Sequence, residues 1–133
     1  MNKDLQWFAA RYRVPYQWNP HFPINTLQLM RGATYAQQKG RLLPYSDVVY
    51  KAVWADGVNM SDAQEVGRVL SAGGFDPDEF MAAVQDPAIK QALKDATDDA
   101  VRKGLFGAPT FIVDGHMHFG QDRLPYVEEL LRA

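Results

Sequence analysis

Apolar residues recur with a helical period over most of the chain. Leu5, Phe8, Ala9 and Tyr12 lie at i, i+3, i+4 and i+7, which predicts an amphipathic helix over about residues 2–13. Five more helices are predicted from capping residues and early prolines at their starts. Their first residues or caps are Asn25, Pro44, Ser61, Asp76 and Asp86. The helices that begin at Asn25, Pro44, Ser61 and Asp86 are predicted to end near Gln38, Gly57, Gly73 and Lys103. Helices therefore precede any strand.

The last part of the chain changes to the pattern of a β-hairpin. Residues 110–113 are β-branched or aromatic, Asp114-Gly115 is a strong signal for a tight turn, and residues 116–119 form the return strand. A closing helix follows, whose apolar face consists of Leu124, Val127, Leu130 and Leu131.

The hairpin pattern raises a physical difficulty. Phe111, Ile112 and Val113 form an unbroken apolar run, which suits a strand that is covered on both faces. The chain offers one partner strand, and a two-stranded ribbon is marginally stable and leaves unpaired backbone groups at its edges. We therefore expect either that a second copy of the chain completes the sheet as a homodimer, or that a segment belonging upstream is absent.

The amino-acid composition of the chain excludes several classes of function. The 133 residues contain no cysteine and carry a formal net charge of −2. Near-neutral charge without a basic stripe argues against nucleic-acid binding, and no window resembles a membrane span or a signal peptide, so a cytoplasmic protein without a membrane partner is expected. The absence of cysteine excludes disulfides, thiolate metal ligands and a thiol nucleophile supplied by this chain. Any sulfur chemistry must use sulfur from another molecule.

Two features could carry chemistry. His116 and His118 share a strand face, but without a third ligand they are interpreted as solvent-facing, and no metal site is predicted. Pro109 directly precedes a strand and cannot donate a ladder hydrogen bond, which leaves the backbone groups of Ala108 free. This proline either simply marks the strand entry or helps to clamp a peptide-like ligand that adds as a strand.

Three C-terminal segments together resemble the 2-hydroxychromene-2-carboxylate isomerases, which belong with the kappa-class glutathione transferases to the DsbA-like branch of the thioredoxin superfamily. The segments are residues 106–111, 114–115 and 119–124, and residues 4–9, 22–26 and 52–54 are similar to the family's helical insertion. The resemblance covers nearly the whole chain. It implies an α/β, thioredoxin-like fold, mostly α in this chain, with a helical insertion domain over 1–103 and a C-terminal ββα half of a thioredoxin-like domain over 104–133.

The resemblance also implies a glutathione site. By match to the family, the backbone at Ala108 and Pro109 pairs with glutathione, and Gln121 and Asp122 contact its γ-glutamyl end. Asn25 is a candidate for lining the pocket of a small-molecule substrate. For Asp122 and Asn25 the alternative is a plain helix N-cap.

One departure from the family concerns catalysis. The family begins with a βαβ unit that carries a Ser-Pro motif, and this unit has no counterpart here, so the chain is interpreted as N-terminally truncated. Ser46, Ser61 and Ser71 do not match that motif, and no catalytic residue is predicted.

The sequence leaves three candidate functions for this chain. The first is a glutathione-dependent isomerase of aromatic catabolism, inactive without the family serine. The alternative is a catalytically inactive fragment or a dimerising interaction module. A DsbA-like disulfide oxidoreductase is disfavoured, because the chain has no Cys-x-x-Cys motif.

Overall fold

The computed structural model describes residues 2–133 as a helical chain with one β-hairpin. The helices are α1 (Asn2–Tyr12), α2 (Leu27–Gln38), α3 (Leu42–Trp54), α4 (Ala63–Ala72), α5 (Pro77–Gln85), α6 (Pro87–Arg102) and α7 (Leu124–Arg132). The strands are β1 (Thr110–Val113) and β2 (His116–Phe119), and a short 3₁₀ helix spans Gln121–Arg123. Within residues 2–133, no helix is both long enough and apolar enough to cross a bilayer.

Helix boundaries follow the local capping chemistry, with shifts from the prediction at the starts of α2, α3 and α4. The Asp76 carboxylate caps α5 as predicted, since it accepts from the backbone N–H groups of Asp78 and Glu79. The predicted cap of α4 at Ser61 is wrong. The cap is Asp62, whose Oδ1 accepts from the backbone N of Gln64 at 2.8 Å. Helix α3 begins two residues before the predicted Pro44.

The chain divides into two compact units, Met1–Leu93 and Lys94–Ala133. The boundary lies inside α6, so this helix contributes to both. The division at residues 103 and 104 into a helical domain and a ββα half stays a prediction.

The core of the first unit is built from the inner faces of α2, α3, α4 and α5. Its buried members are Leu29, Ala36, Tyr45, Ala52, Val53, Met60, Val66, Leu70, Phe80 and Val84. Tyr45 is the polar exception, and its hydroxyl donates to the backbone O of Leu29 at 2.7 Å. Burial raises the pKa of this phenol above its ordinary value. The ring of Tyr45 stacks against Phe80 with 6.4 Å between centroids, which joins α3 to α5.

A proline-rich segment between α1 and α2 is attached to the C-terminal end of α3. Asn19 is fully buried, and its Nδ2 donates to the carbonyl oxygens of Val53 and Val58, at 2.9 Å in each case. The backbone N of Gln17 donates to Trp54 O at 2.8 Å. Because the last carbonyls of a helix lack intrahelical partners, these bonds complete α3 as well as fixing the loop.

The second unit contains the end of α6, the hairpin, the 3₁₀ helix and α7. Strands β1 and β2 pair antiparallel, with Thr110 opposite Phe119 and Val113 opposite His116. The predicted Asp114-Gly115 turn is confirmed, and both residues have positive φ (49° and 81°), as a type I′ turn requires. Helix α7 packs against β1 and buries Val127.

Candidate functional site

The residues predicted to contact glutathione lie at the open end of the hairpin. Thr110 starts β1 and faces Phe119 at the end of β2, so the residues before β1 and after β2 are neighbours. The backbone N of Gly120 donates to the carbonyl O of Pro109 at 2.9 Å, which extends the ladder by one bond. The structure therefore brings the Ala108–Pro109 segment and the turn that carries Gln121 and Asp122 together.

One side of this end presents free backbone groups. The peptide bond between Ala108 and Pro109 is cis, and both residues are exposed. Among residues 2–133, neither the N–H nor the C=O of Ala108 has a hydrogen-bond partner. An extended ligand can therefore pair with this residue as an added strand.

The other side is a glycine turn with a carboxylate. Gly120 has φ 103°, and a Cβ there would lie 2.5 Å from Oδ1 of Asp122, so a side chain would clash with that carboxylate. Asp122 lies in the 3₁₀ helix, while the cap position of α7 is Arg123, so the plain N-cap interpretation of Asp122 is wrong. Asp122 is exposed and Gln121 half-buried. The Asp122 carboxylate is therefore available to accept a hydrogen bond from a ligand.

Aromatic rings adjoin this end of the hairpin. The ring of Phe119 covers Gly107, where a Cβ would lie 2.6 Å from its Cε2. Phe106 packs against Phe119 with centroids 4.8 Å apart, and the two side chains are 73% and 44% exposed. The free backbone of Ala108 therefore has an apolar surface next to it.

Asn25, the remaining predicted site residue, belongs to the first unit. Its predicted role as the N-cap of α2 is wrong, because the cap position is Thr26, and its role at a substrate pocket stays a prediction. Its Oδ1 accepts from the backbone N of Leu27, the first residue of α2, at 3.1 Å, and its own N–H donates to Ser61 Oγ at 3.2 Å. It also lines a pocket of about 200 Å³ together with Arg31. Sequence reasoning missed Arg31, because no sequence pattern tells a free arginine on a helix from a paired one.

The two strand histidines differ in their surroundings. His116 is exposed, as predicted, but His118 is half-buried opposite Phe111, and its Nε2 is enclosed without a partner among the described residues. The interpretation of His118 as solvent-facing is therefore wrong. Within residues 2–133, no cluster of three or more His, Cys, Asp or Glu could hold a metal ion.

Comparison with known families gives a match over almost the whole chain. A family model described as a DSBA-like thioredoxin domain matches residues 1–132. The 2-hydroxychromene-2-carboxylate isomerase of Sphingobium xenophagum is 29% identical over 131 residues, which cover 98% of this chain and 66% of the relative. Human glutathione S-transferase kappa 1 is 27% identical over 149 residues, with 98% of this chain and 64% of the relative covered.

A solved structure agrees with these relatives. The structure of a 2-hydroxychromene-2-carboxylate isomerase superposes with a TM-score of 0.87 at 25% identity, and the match covers 98% of this chain and 63% of that one. The predicted thioredoxin-like, mostly helical fold is confirmed. The chain spans slightly under two thirds of the length of these relatives.

Proposed function

Because the chain belongs to the family of DSBA-like thioredoxin domains, we propose that it binds glutathione at the open end of its hairpin and serves a glutathione-dependent isomerase. The proposed substrate is a small aromatic-derived carboxylic acid, as the relatives named 2-hydroxychromene-2-carboxylate isomerase suggest. The observation that carries the proposal is the juxtaposition of the unpaired Ala108 backbone with the Asp122 carboxylate across the Gly120–Pro109 hydrogen bond.

The residues present fit a γ-glutamyl tripeptide. Glutathione has peptide groups that can pair with the free N–H and C=O of Ala108, and pairing of this kind favours an extended ligand without requiring particular side chains.

Asp122 supplies the matching charge. The γ-glutamyl end of glutathione bears an ammonium group, and a hydrogen bond from it to the carboxylate is charge-assisted and therefore stronger than a neutral one. Gly120 permits this arrangement, because any side chain there would displace Asp122. We assign Gln121, half-buried beside Asp122, to the same end of the ligand.

Bound glutathione supplies a thiolate, which is both a good nucleophile and a good leaving group for reversible addition to a conjugated double bond. The chain itself has no cysteine, so this chemistry needs the sulfur of the ligand. The role proposed for residues 108–122 is to hold and orient the tripeptide. We do not assign the family's catalytic serine to Ser46, Ser61 or Ser71, and we expect the 133-residue chain to bind glutathione without isomerising a substrate.

Asp122→Asn should weaken glutathione binding by roughly 10- to 100-fold, the range for losing a hydrogen bond to a charged group. The amide keeps the size of the side chain but loses its charge. Isothermal titration calorimetry at millimolar glutathione measures the effect. Asp114→Asn is the matched control, because Asp114 lies in the turn at the far end of the hairpin and asparagine suits its φ of 49°. It should bind as the wild type does.

The acetylated dipeptide N-acetyl-Cys-Gly, which lacks the γ-glutamyl group and has no ammonium group, tests the assigned contact. It should bind weakly and equally to the wild type and to Asp122→Asn, because neither complex contains the ammonium contact. The proposal is wrong if the wild-type chain does not bind glutathione at millimolar concentration. Equal affinity of the wild type and Asp122→Asn for glutathione would instead remove Asp122 from the site.

A second candidate function, a dimerising module, is favoured by the exposed apolar side chains of the hairpin. Ile112, Met117 and Phe119 are 46%, 42% and 44% exposed on a two-stranded sheet. Pairing of this surface with a second copy would cover them and satisfy an open strand edge. Size-exclusion chromatography with multi-angle light scattering should then give twice the monomer mass, and a stable monomer would contradict this function.

A further inference from the structure

A small pocket lies in the first unit, between the end of α2 and the beginning of α5. Its volume is about 60 Å³. Since about 10–15 Å³ of such volume holds one water-sized group, the pocket has room for roughly four to six non-hydrogen atoms. Its floor is formed by buried residues, namely Ala36, Tyr45, Leu70 and Phe80. The part of a ligand that enters this pocket is therefore small and lies against a mainly apolar surface.

The rim of this pocket carries formal charges of both signs. The cations Lys39 and Arg41 line it, and so do the carboxylates of Asp76, which caps α5, and Glu79, in the first turn of α5. Within residues 2–133, no nitrogen of these two cations lies within 4.0 Å of a carboxylate oxygen. Opposite charges therefore line one pocket without meeting. A ligand that bears one charge of each sign can compensate both.

Neutral neighbours hold three of these charged groups in place. The Tyr35 hydroxyl donates to Oε1 of Glu79, and the Lys39 ammonium lies 5.5 Å from the centre of the Tyr35 ring. The Arg41 guanidinium lies 4.1 Å from the centre of the Phe75 ring, and one of its nitrogens donates to a backbone carbonyl oxygen at 3.5 Å. These contacts position the groups without neutralising their charges. Because the groups are positioned before a ligand arrives, less conformational entropy is lost on binding.

From these uncompensated charges around one small pocket, we propose that the pocket binds a free α-amino acid with a side chain no larger than that of alanine. The carboxylate of the amino acid pairs with Arg41 and Lys39. Its ammonium group pairs with Glu79 and with Oδ2 of Asp76, which has no partner within the described chain because the cap bonds of Asp76 use Oδ1. Such hydrogen bonds between charged groups are stronger than neutral ones.

The γ-glutamyl end of glutathione carries the same two charged groups and is therefore the alternative occupant of this pocket. The small volume favours the free amino acid, which fills the pocket without a peptide chain leading out of it. All the residues that line the pocket belong to the first unit, and none of them is used in the glutathione site that we propose at the hairpin.

Glycine is the probe, titrated into the full chain at millimolar concentration and followed by chemical-shift mapping. We expect saturable shifts at residues that line the pocket. Acetate and methylammonium each carry one of the two charges and are small enough to enter, so both should bind much more weakly than glycine. The affinity for glycine should be the same in the presence and in the absence of millimolar glutathione.

Glu79→Gln and Arg41→Gln should each lower the glycine affinity roughly 5- to 10-fold, a loss that is limited by the exposure of both side chains to solvent. Both variants should fold, because the positions are exposed and glutamine still offers an acceptor to the Tyr35 hydroxyl, and circular dichroism checks this. Asp78→Asn and Arg68→Gln are the matched controls. They remove one charge of each sign from the first unit at positions that do not line the pocket, so they should bind glycine as the wild type does.

The proposal is overturned if the wild type does not bind glycine, if acetate or methylammonium binds as tightly, or if Glu79→Gln and Arg41→Gln both bind glycine normally. It is also overturned if glutathione competes with glycine, since the γ-glutamyl end would then be the occupant. A chain that binds glycine but not glutathione would support this pocket while contradicting the proposed function.

Discussion

Gly32→Ala should lower the free energy of unfolding by at least about 2 kcal/mol, the cost expected for overpacking a core. Gly32 lies in α2 at its crossing with α5. An added Cβ would lie 2.1 Å from Cε2 of Phe80 and 2.4 Å from the Tyr45 hydroxyl. Both rings are buried, and Tyr45 is further held by its hydrogen bond to Leu29. Neither can move aside without opening the core.

The expected loss of stability in Gly32→Ala is opposite to the usual result of replacing a helical glycine by alanine. In an unhindered helix, replacing glycine by alanine stabilises by up to about 1 kcal/mol. Gly67 on α4 is an unhindered position of this kind and serves as the control. A Cβ added there would make one ordinary contact, 3.7 Å from Cβ of Pro77. Urea unfolding followed by circular dichroism should therefore show Gly32→Ala destabilised and Gly67→Ala stabilised. Phe80→Leu combined with Gly32→Ala should recover part of the loss. Stabilisation by Gly32→Ala would show that the crossing has room for a methyl group.

Asn19→Ala should destabilise the first unit by roughly 2–4 kcal/mol, since it leaves the Val53 carbonyl without a donor, leaves Val58 O with Met60 N as its one remaining donor, and opens a small cavity. The side chain is fully buried, and it donates to Val53 O and Val58 O while its Oδ1 accepts from His21 N at 2.8 Å. No other residue of the loop holds three backbone positions in this way within the described chain.

Gln17→Ala is the control for Asn19→Ala. Gln17 is exposed, and its Nε2 donates to Ala55 O at 2.7 Å, at the same end of α3. Water can replace this bond, so the loss should be about 1 kcal/mol or less. The same urea titrations measure both variants. Equal effects of Asn19→Ala and Gln17→Ala would contradict the assigned role of the buried amide.

The predictions from sequence were correct where the cause is local. The Asp114-Gly115 turn and the cap at Asp76 depend on residues a few positions apart, so the sequence contains the whole interaction. The shift from Ser61 to Asp62 as the cap of α4 has a distant cause. The Ser61 hydroxyl accepts from the backbone of Asn25, on another part of the chain.

The missed features depend on tertiary contacts. Asn19 lies in a segment that reads as an irregular loop, and its burial arises from carbonyls at residues 53 and 58. From the sequence alone, Gly32 is a residue of low helix propensity inside a helix. The structure shows that glycine is needed there because Phe80 lies too close for a side chain. At the candidate sites, the residues of the hairpin end were predicted through the family resemblance, whereas the free state of Arg31 becomes visible only once its neighbours are placed.

The hydrogen bond from Gly120 to Pro109 has a consequence for how the proposed glutathione site forms during folding. Both sides of that site come from residues 108–122, so bringing them together closes a short loop and costs little chain entropy. Hairpins of this kind form within about 1–10 μs, long before slower rearrangements finish. The geometry of the proposed glutathione site therefore depends on the register of β1 and β2 rather than on contacts between distant parts of the sequence. Substitutions such as Gly32→Ala would then reduce the folded population without changing the affinity of each folded molecule for glutathione.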